Sequence, residues 1–395
     1  MLNPFQKIGV LGEGVTGKAV IQKAKELDIR VVPVVEADIV IASPGIAPNL
    51  FPKIKAPIIS ELDYAYLLMK HYTPDVQIIA VTGTNGKSTV TSLIANLLDC
   101  PAVGNIGIPL ISLISPTLSE DVICVEVSSY QLETTFYFRP NVAVLLNIVE
   151  DHLVRHGTME NYCAQKQRLI AAMTVDSTVF YNANDEYLKQ MITSTKATCI
   201  SFESSQPLPN DVVLQWQKGN YLINAVAGAM VARFFSQNEE IMLKKLAAFN
   251  FLPHRLESVS NFSNRQFIND SKATNPNATL MAVDAFDSPV HLILCGEDKQ
   301  YNGRQFLKQL NSKVRSITVF GNLSEVLMPL ADIVHIPMMK KETLADAIKC
   351  AYNASEDNDV ILFSPSSSSY DQFNGFEDRG NQFKYYVETQ FCETT

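Results

Sequence analysis

None of the seven cysteines forms a Cys-x-x-Cys pair, so the chain lacks the spacing of a zinc site or a disulfide framework. Cys124 and Cys295 lie inside apolar runs, as reduced and buried thiols do. No run of about 18 apolar residues is present, so no membrane-spanning helix is expected. Met1 to Lys7 leads straight into a strand without the apolar centre of a secretory leader, and a cytoplasmic protein is the expectation. Positive charge is also scarce: 32 Lys and Arg face 41 Asp and Glu, for a net charge of −9. That balance argues against a general nucleic-acid or anionic-membrane surface, yet it leaves room for local phosphate pockets. No internal repeat or low-complexity linker interrupts the chain. At 395 residues, two or three domains are expected, and 47% hydrophobic residues suffice for real cores.

What is present is an alternation of short apolar runs and helical stretches, the pattern of mainly parallel α/β sheets. Ile8 to Leu11 reads as a strand, followed by Gly12-Glu13-Gly14-Val15-Thr16-Gly17 and a helix from Lys18 to Leu27. Further strands are expected at Ile29–Val35, broken by Pro33, at Asp38–Ala42 and at Ile58–Ile59. Between Val35 and Asp38 there is no space for the dozen or more residues of a parallel crossover. A complete dinucleotide domain is therefore disfavoured, and the glycine loop is left to a nucleotide-like ligand. The expected division is a Rossmann-like domain over 1–60, a central domain over 61–252, and a third α/β domain over 253–395. In the third, Asp332–Ile336 reads as one of the strands, and a helix near Gln382–Thr389 closes the chain.

The strongest local signal is Val81-Thr82-Gly83-Thr84-Asn85-Gly86-Lys87-Ser88-Thr89, between an apolar strand (Val76–Val81) and a helix (Val90–Leu98). Glycines there let backbone N–H groups approach phosphate oxygens, and the helix N-terminus adds partial positive charge. Lys87 can reach terminal phosphates and the Ser88 hydroxyl can ligate Mg²⁺. Val81 stands where the usual loop has its first glycine, so this is a shortened form; the plain alternative is a glycine turn with a capping hydroxyl.

Four other places carry chemistry. Glu126 lies in the apolar strand Asp121–Val127, where a carboxylate is costly unless paired or metal-bound; the alternative is an exposed strand face. Glu150-Asp151-His152 follows the strand Asn141–Ile148 and offers metal ligands, or a plain surface loop. Arg255, after Leu252-Pro253-His254, could bind phosphate or form an ordinary salt bridge. Asn269-Asp270-Ser271-Lys272-Ala273-Thr274-Asn275-Pro276 ends a strand, as a ligand crevice or a decorated turn would.

Taken in order, these blocks resemble the Mur ligase family. The resemblance also takes in Ala-Ser-Pro-Gly-Ile-Ala at 42–47, Gly-Asn-Ile-Gly at 104–107, Glu-Val-Ser-Ser-Tyr-Gln-Leu-Glu-Thr-Thr at 126–135, and Ser-Tyr-Asp-Gln-Phe-Asn-Gly-Phe-Glu-Asp-Arg-Gly at 369–380. It points to the branch that adds D-glutamate. It implies ATP-dependent joining of D-glutamate to UDP-N-acetylmuramoyl-L-alanine through an acyl phosphate, in cytoplasmic peptidoglycan precursor synthesis, by a monomer using ATP and two Mg²⁺ ions. By position it implies that Gly83 to Thr89, Arg255 and Asp270 bind ATP. Ser88, Glu126, His152 and a carbamylated Lys166 would hold metal, and Lys87, His152, Lys166 and Lys272 would be catalytic. Val15, Thr16, Asn105, Ser128 and Gln131 would meet the UDP-sugar. Lys272, Thr274, Lys299, Ser369 and Phe376 would surround D-glutamate. Departures from the family pattern fall at the short 35–38 segment, at Gly-Asn-Tyr-Leu-Ile-Asn (219–224), and at Cys295-Gly296-Glu297-Asp298-Lys299. A nucleotide-gated switch, a nicotinamide oxidoreductase, folylpolyglutamate synthase and a sibling ligase remain as alternatives.

Overall fold

Three sheets arise from the short apolar runs. The coordinates are a computed structural model that describes residues 2–209, 216, 221–297, 302–310 and 312–391. The first sheet is β1 (Ile8–Leu11), β2 (Ile39–Ala42) and β3 (Ile58–Ser60), parallel in that order. The second contains β4 (Gln77–Thr82), β5 (Ala102–Gly104), β6 (Val122–Glu126), β7 (Val142–Leu145), β8 (Thr178–Asn182) and β9 (Thr198–Phe202). Its order is β5-β6-β4-β7-β8-β9, parallel throughout. Ile78 to Val81 are all buried, as expected for a strand covered on both faces. β4 stands between β6 and β7, where the strand order turns over, and the crevice of an open sheet forms outside strand ends at that point.

The third sheet contains β10 (Glu257–Phe262), β11 (Arg265–Asn269), β12 (Val290–Cys295), β13 (Val314–Phe320), β14 (Met338–Lys340) and β15 (Val360–Ser366). Its order is β10-β11-β15-β12-β13-β14, and only β10 runs antiparallel to its neighbour. The chain divides into two compact units, one with the first two sheets and residues 223–249, the other with the third sheet. The first two sheets share one buried cluster that joins Ile8, Val20, Ile39 and Ile59 to Leu62, Ile78 and Ile123.

Two local expectations change, and one strand was not expected. The strand expected over Ile29–Val35 is a single bridge, Ile8 with Val31, because Pro33 lacks an N–H and starts a 3-10 turn at Val34–Glu36. That economy explains how so short a link reaches β2, with the Asp38 N–H donating to the Lys7 carbonyl at 2.8 Å. The strand expected over Asp332–Ile336 is displaced: Met328–Ile333 is a 3-10 turn with Pro329 near its start, and β14 begins only after Pro337. Unforeseen β10 pairs with β11 through Ser263-Asn264, both at positive φ (48° and 58°), the requirement of a type I′ hairpin turn.

Glu61 opens the Glu61–Tyr72 helix and is buried; one oxygen accepts the Ile111 N–H at 2.6 Å and the other has no hydrogen-bond partner among the described residues. Burial pushes its pKa from 4.5 up to about 7. The folded state therefore holds this proton more tightly than the unfolded chain does. The resulting stability, about 3 kcal/mol, is present below pH 4.5 and lost as the pH rises through 7. Glu61→Gln is expected to flatten the decline of Tm between pH 5 and pH 8. An unchanged slope in thermal melts would remove Glu61 as its source.

Candidate active site

The loop between β4 and the Lys87–Leu98 helix is shaped by Gly86, which caps the helix at φ +87°. A Cβ there would lie 2.7 Å from the Asn224 Oδ1, so only glycine suits both the backbone and the space. Asn224 is buried on the Tyr221–Phe234 helix, while Gly219 and Asn220 lie outside the described residues. The Lys87 Nζ folds back over its own loop and donates to the carbonyls of Gly83 (3.0 Å) and Thr84 (2.7 Å). Asn147, just past β7, grips the loop from the side. Its Oδ1 accepts the Asn85 N–H at 2.8 Å and its Nδ2 donates to the Asn85 carbonyl at 2.9 Å. The Thr84 hydroxyl accepts the Val149 N–H at 3.1 Å and meets the Tyr162 hydroxyl at 2.9 Å. Ser88 and Thr89 are both buried in the first helical turn.

Lys166 enters this site from the Met159–Ala171 helix and is 1% exposed. Its Nζ donates to the Gly83 carbonyl at 2.7 Å and lies 4.9 Å from the Tyr162 ring centroid. Two amines thus share the Gly83 oxygen. Burial, and then the charge of Lys87, push the Lys166 pKa well below its ordinary 10.5, against the smaller opposing pull of Asp151 and Glu126. The Lys166 amine therefore gives up its proton more readily than a free lysine.

Glu126 ends β6 at 1% exposure. Its Oε1 accepts from the Asn105 Nδ2 at 2.7 Å, and its Oε2 has no hydrogen-bond partner among the described residues. A buried carboxylate oxygen left so costs free energy, and a hard cation is what such an oxygen suits. His152 sits at φ +58° with its Nδ1 3.1 Å from the Tyr130 hydroxyl and 3.6 Å from the Asp151 Oδ1. Among the described residues no three His, Cys, Asp or Glu side chains gather as a ready metal cluster. Ser128 and Gln131 form a reciprocal capping box at the start of the Ser129–Leu132 turn.

In the first sheet, Val15 and Thr16 open the Val15–Glu26 helix, and Val15 is exposed. A Cβ on Gly17 would lie 1.8 Å from the Gly12 carbonyl oxygen, which explains the third glycine of the loop. Gly12 in turn packs against Ser43, so the loops after β1 and β2 form one wall.

In the second unit, Asp270 follows β11. Burial raises its pKa to about 7, against the Ser364 hydroxyl (2.7 Å), the Leu256 N–H (3.2 Å) and the charge of Arg255. The Lys272 ammonium lies 3.6 Å over the Phe376 ring, and the Ser271 Oγ donates to the Phe376 carbonyl at 2.9 Å. Ser369 is buried and begins a turn that returns the Phe373 N–H to its carbonyl at 2.9 Å. Thr274 is half-buried beside the Asn275 cap of the Pro276–Asp284 helix, and Lys299 lies outside the described residues. Sequence reasoning passed over Arg379, one turn after Phe376 and fully buried. It donates to the Ser271 Oγ (3.1 Å), the Ser271 carbonyl (2.8 Å) and the Ser367 carbonyl (3.0 Å), tying two loops together. The next residue, Gly380, packs against His254, where a Cβ would lie 2.2 Å from the Nδ1.

A parallel α/β sheet with a glycine loop and lysine at its switch point defines a phosphate-loop protein. Residues 81–221 match the Mur ligase middle domain, and residues 254–367 match the Mur ligase glutamate ligase domain. The chain is 34% identical to the UDP-N-acetylmuramoylalanine--D-glutamate ligase of Acidobacterium capsulatum, over 89% of this chain and 82% of that one. It is 33% identical to the enzyme of the same name from Clostridioides difficile, over 88% and 84%. Among solved structures, the MurF ligase of Thermotoga maritima in complex with ADP shares the fold, with a TM-score of 0.66 at 17% identity over 97% of this chain and 95% of that one. The chain belongs to the Mur ligase family.

Proposed function

We propose that this protein joins D-glutamate to UDP-N-acetylmuramoyl-L-alanine, using ATP, in peptidoglycan precursor synthesis. The observation that carries the reading is the match to D-glutamate ligases over most of both chains. Such a ligation needs the acyl donor to be activated first. A carboxylate is a poor acyl donor, so its oxygen attacks the γ-phosphorus of ATP, ADP departs, and an acyl phosphate forms. The amine of D-glutamate then attacks the acyl carbon, and phosphate leaves from the tetrahedral intermediate. Lys87 exchanges its loop carbonyls for phosphate oxygens, with the N–H groups at the start of its helix beside it. Ser88, Glu126, His152 and a carbamylated Lys166 would hold Mg²⁺, which offsets negative charge where two anions meet. The Glu126 oxygen that has no hydrogen-bond partner among the described residues fits that role. Arg255 and Asp270 are assigned to ATP. Lys272, Thr274, Ser369 and Phe376 are assigned to D-glutamate, as is Lys299. Val15, Thr16, Asn105, Ser128 and Gln131 are assigned to the sugar nucleotide.

Phosphate release from ATP, measured with UDP-N-acetylmuramoyl-L-alanine and each of D-Glu, L-Glu, L-Ala and L-Lys, tests the reading. Release only with D-Glu is expected. Release indifferent to the amino acid would overturn ligation, and preference for another amino acid would overturn the substrate assignment. Asn147→Ala removes two hydrogen bonds from the loop, each worth about 1 kcal/mol, so the KM for ATP is expected to rise about tenfold or more. Steady-state kinetics at saturating acceptor and donor check it.

A further inference from the structure

We infer that Arg155 is a positioning residue that fixes the span between the nucleotide end of the substrate and its reacting end; the inference rests on the ligase reading above. Arg155 lies in the Leu153–His156 turn, directly after His152, and its N–H bonds the His152 carbonyl at 2.9 Å. Its guanidinium reaches in two directions. Nε meets both oxygens of Glu133 at 3.1 and 3.2 Å, and Nη2 meets one of them at 2.6 Å. Nη2 also donates to the carbonyls of Pro44 (3.3 Å) and Ile46 (3.1 Å), and Nη1 to that of Gly45 (3.5 Å).

Those carbonyls belong to the loop that leaves β2, the wall packed against Gly12. The loop is pinned at its other end by the Ser43 N–H on the Leu11 carbonyl at 2.8 Å. On the opposite side, the Arg155 Cζ lies 4.9 Å from the Tyr130 ring centroid, and the Tyr130 hydroxyl bonds His152. Glu133 is itself steadied by His156, whose Nδ1 lies 3.4 Å from it and whose Nε2 meets the Ser129 hydroxyl at 3.0 Å. One planar fork thus connects the crevice of the first sheet to His152 in the second. A lysine, a single point charge, could not serve Glu133 and three carbonyls together. Because the loop contacts are to backbone oxygens, Arg155 reads the path of the loop and not its side chains. A substrate bound at both ends needs that separation held, since a misplacement of about 1 Å at the reacting end is costly in rate.

The test compares a ligand that occupies one end with one that occupies both. Calorimetry on the full chain measures UDP and UDP-N-acetylmuramoyl-L-alanine binding to the parent, Arg155→Met and Arg155→Lys. Both variants are expected to lose about tenfold or more in affinity for the sugar nucleotide while UDP changes by about twofold or less. In turnover, the KM for the sugar nucleotide should rise by the same factor with the KM for ATP unmoved. If UDP weakens in step with the sugar nucleotide, Arg155 merely folds the loop and the inference fails; it fails equally if neither ligand weakens. Should Arg155→Met not fold, Glu133→Gln must show the same split. A parent that binds the sugar nucleotide but never turns over with D-Glu would overturn the ligase reading alone, and the binding split would still decide the span.

Discussion

Lys87→Ala is expected to lower kcat/KM by about a thousandfold or more, the cost of roughly 4 kcal/mol of charge stabilisation at the transferring phosphoryl group. The Lys87 ammonium is anchored at the mouth of the loop by two carbonyl oxygens, and phosphate oxygens are stronger acceptors for the same group. No other side chain of the loop carries positive charge, since Thr84, Asn85, Ser88 and Thr89 are all neutral. Alanine also leaves the Gly83 and Thr84 carbonyls without that donor, so melting curves should accompany the rates. A folded Lys87→Ala protein that keeps more than about a tenth of parental kcat/KM would remove Lys87 from phosphate binding.

Lys166→Ala comes second, with about a hundredfold loss expected, and here recovery is as informative as loss. A buried amine whose proton is held weakly can attack CO₂: nitrogen bonds to carbon, a proton leaves, and the side chain becomes a carbamate anion. That anion can ligate a cation, which an ammonium cannot. Lys166 has the burial and the neighbour, Lys87, that loosen its hold on the proton. In Lys166→Ala a small carboxylate such as acetate or propionate should enter the vacated volume and restore part of the rate in a saturable way. Full activity without any addition would sink the carbamate, and so would a dead variant that no short carboxylate revives.

The chemistry that was legible in the sequence is carried by residues close together along the chain. Gly83 to Thr89 announces itself because strand, loop and helix are consecutive, and β1 stands where the apolar run Ile8–Leu11 puts it. Asn147, Arg155 and Arg379 were not legible, for a common reason. Each bonds the main chain of a segment 62, 109 or 108 residues away, as in Asn147 to Asn85, Arg155 to Ile46 and Arg379 to Ser271. A side chain aimed at a backbone leaves no complementary residue type to search for. The errors at Ile29–Val35 and Asp332–Ile336 have another cause. Both are apolar enough for a strand, but prolines at 33, 329 and 337 decide where a ladder can begin.

The 3-10 turn at Val34–Glu36 is also an opening for engineering. It lies before β2, with Val34 packed against Gly9 of β1, and Val35 is 79% exposed. Lengthening a closed surface loop costs only about 0.6 kcal/mol per doubling. A peptide epitope or a fluorophore-bearing cysteine placed at Val35 would therefore report on this sheet from an exposed position outside its strands. The brevity of that connection makes it a natural port for a probe.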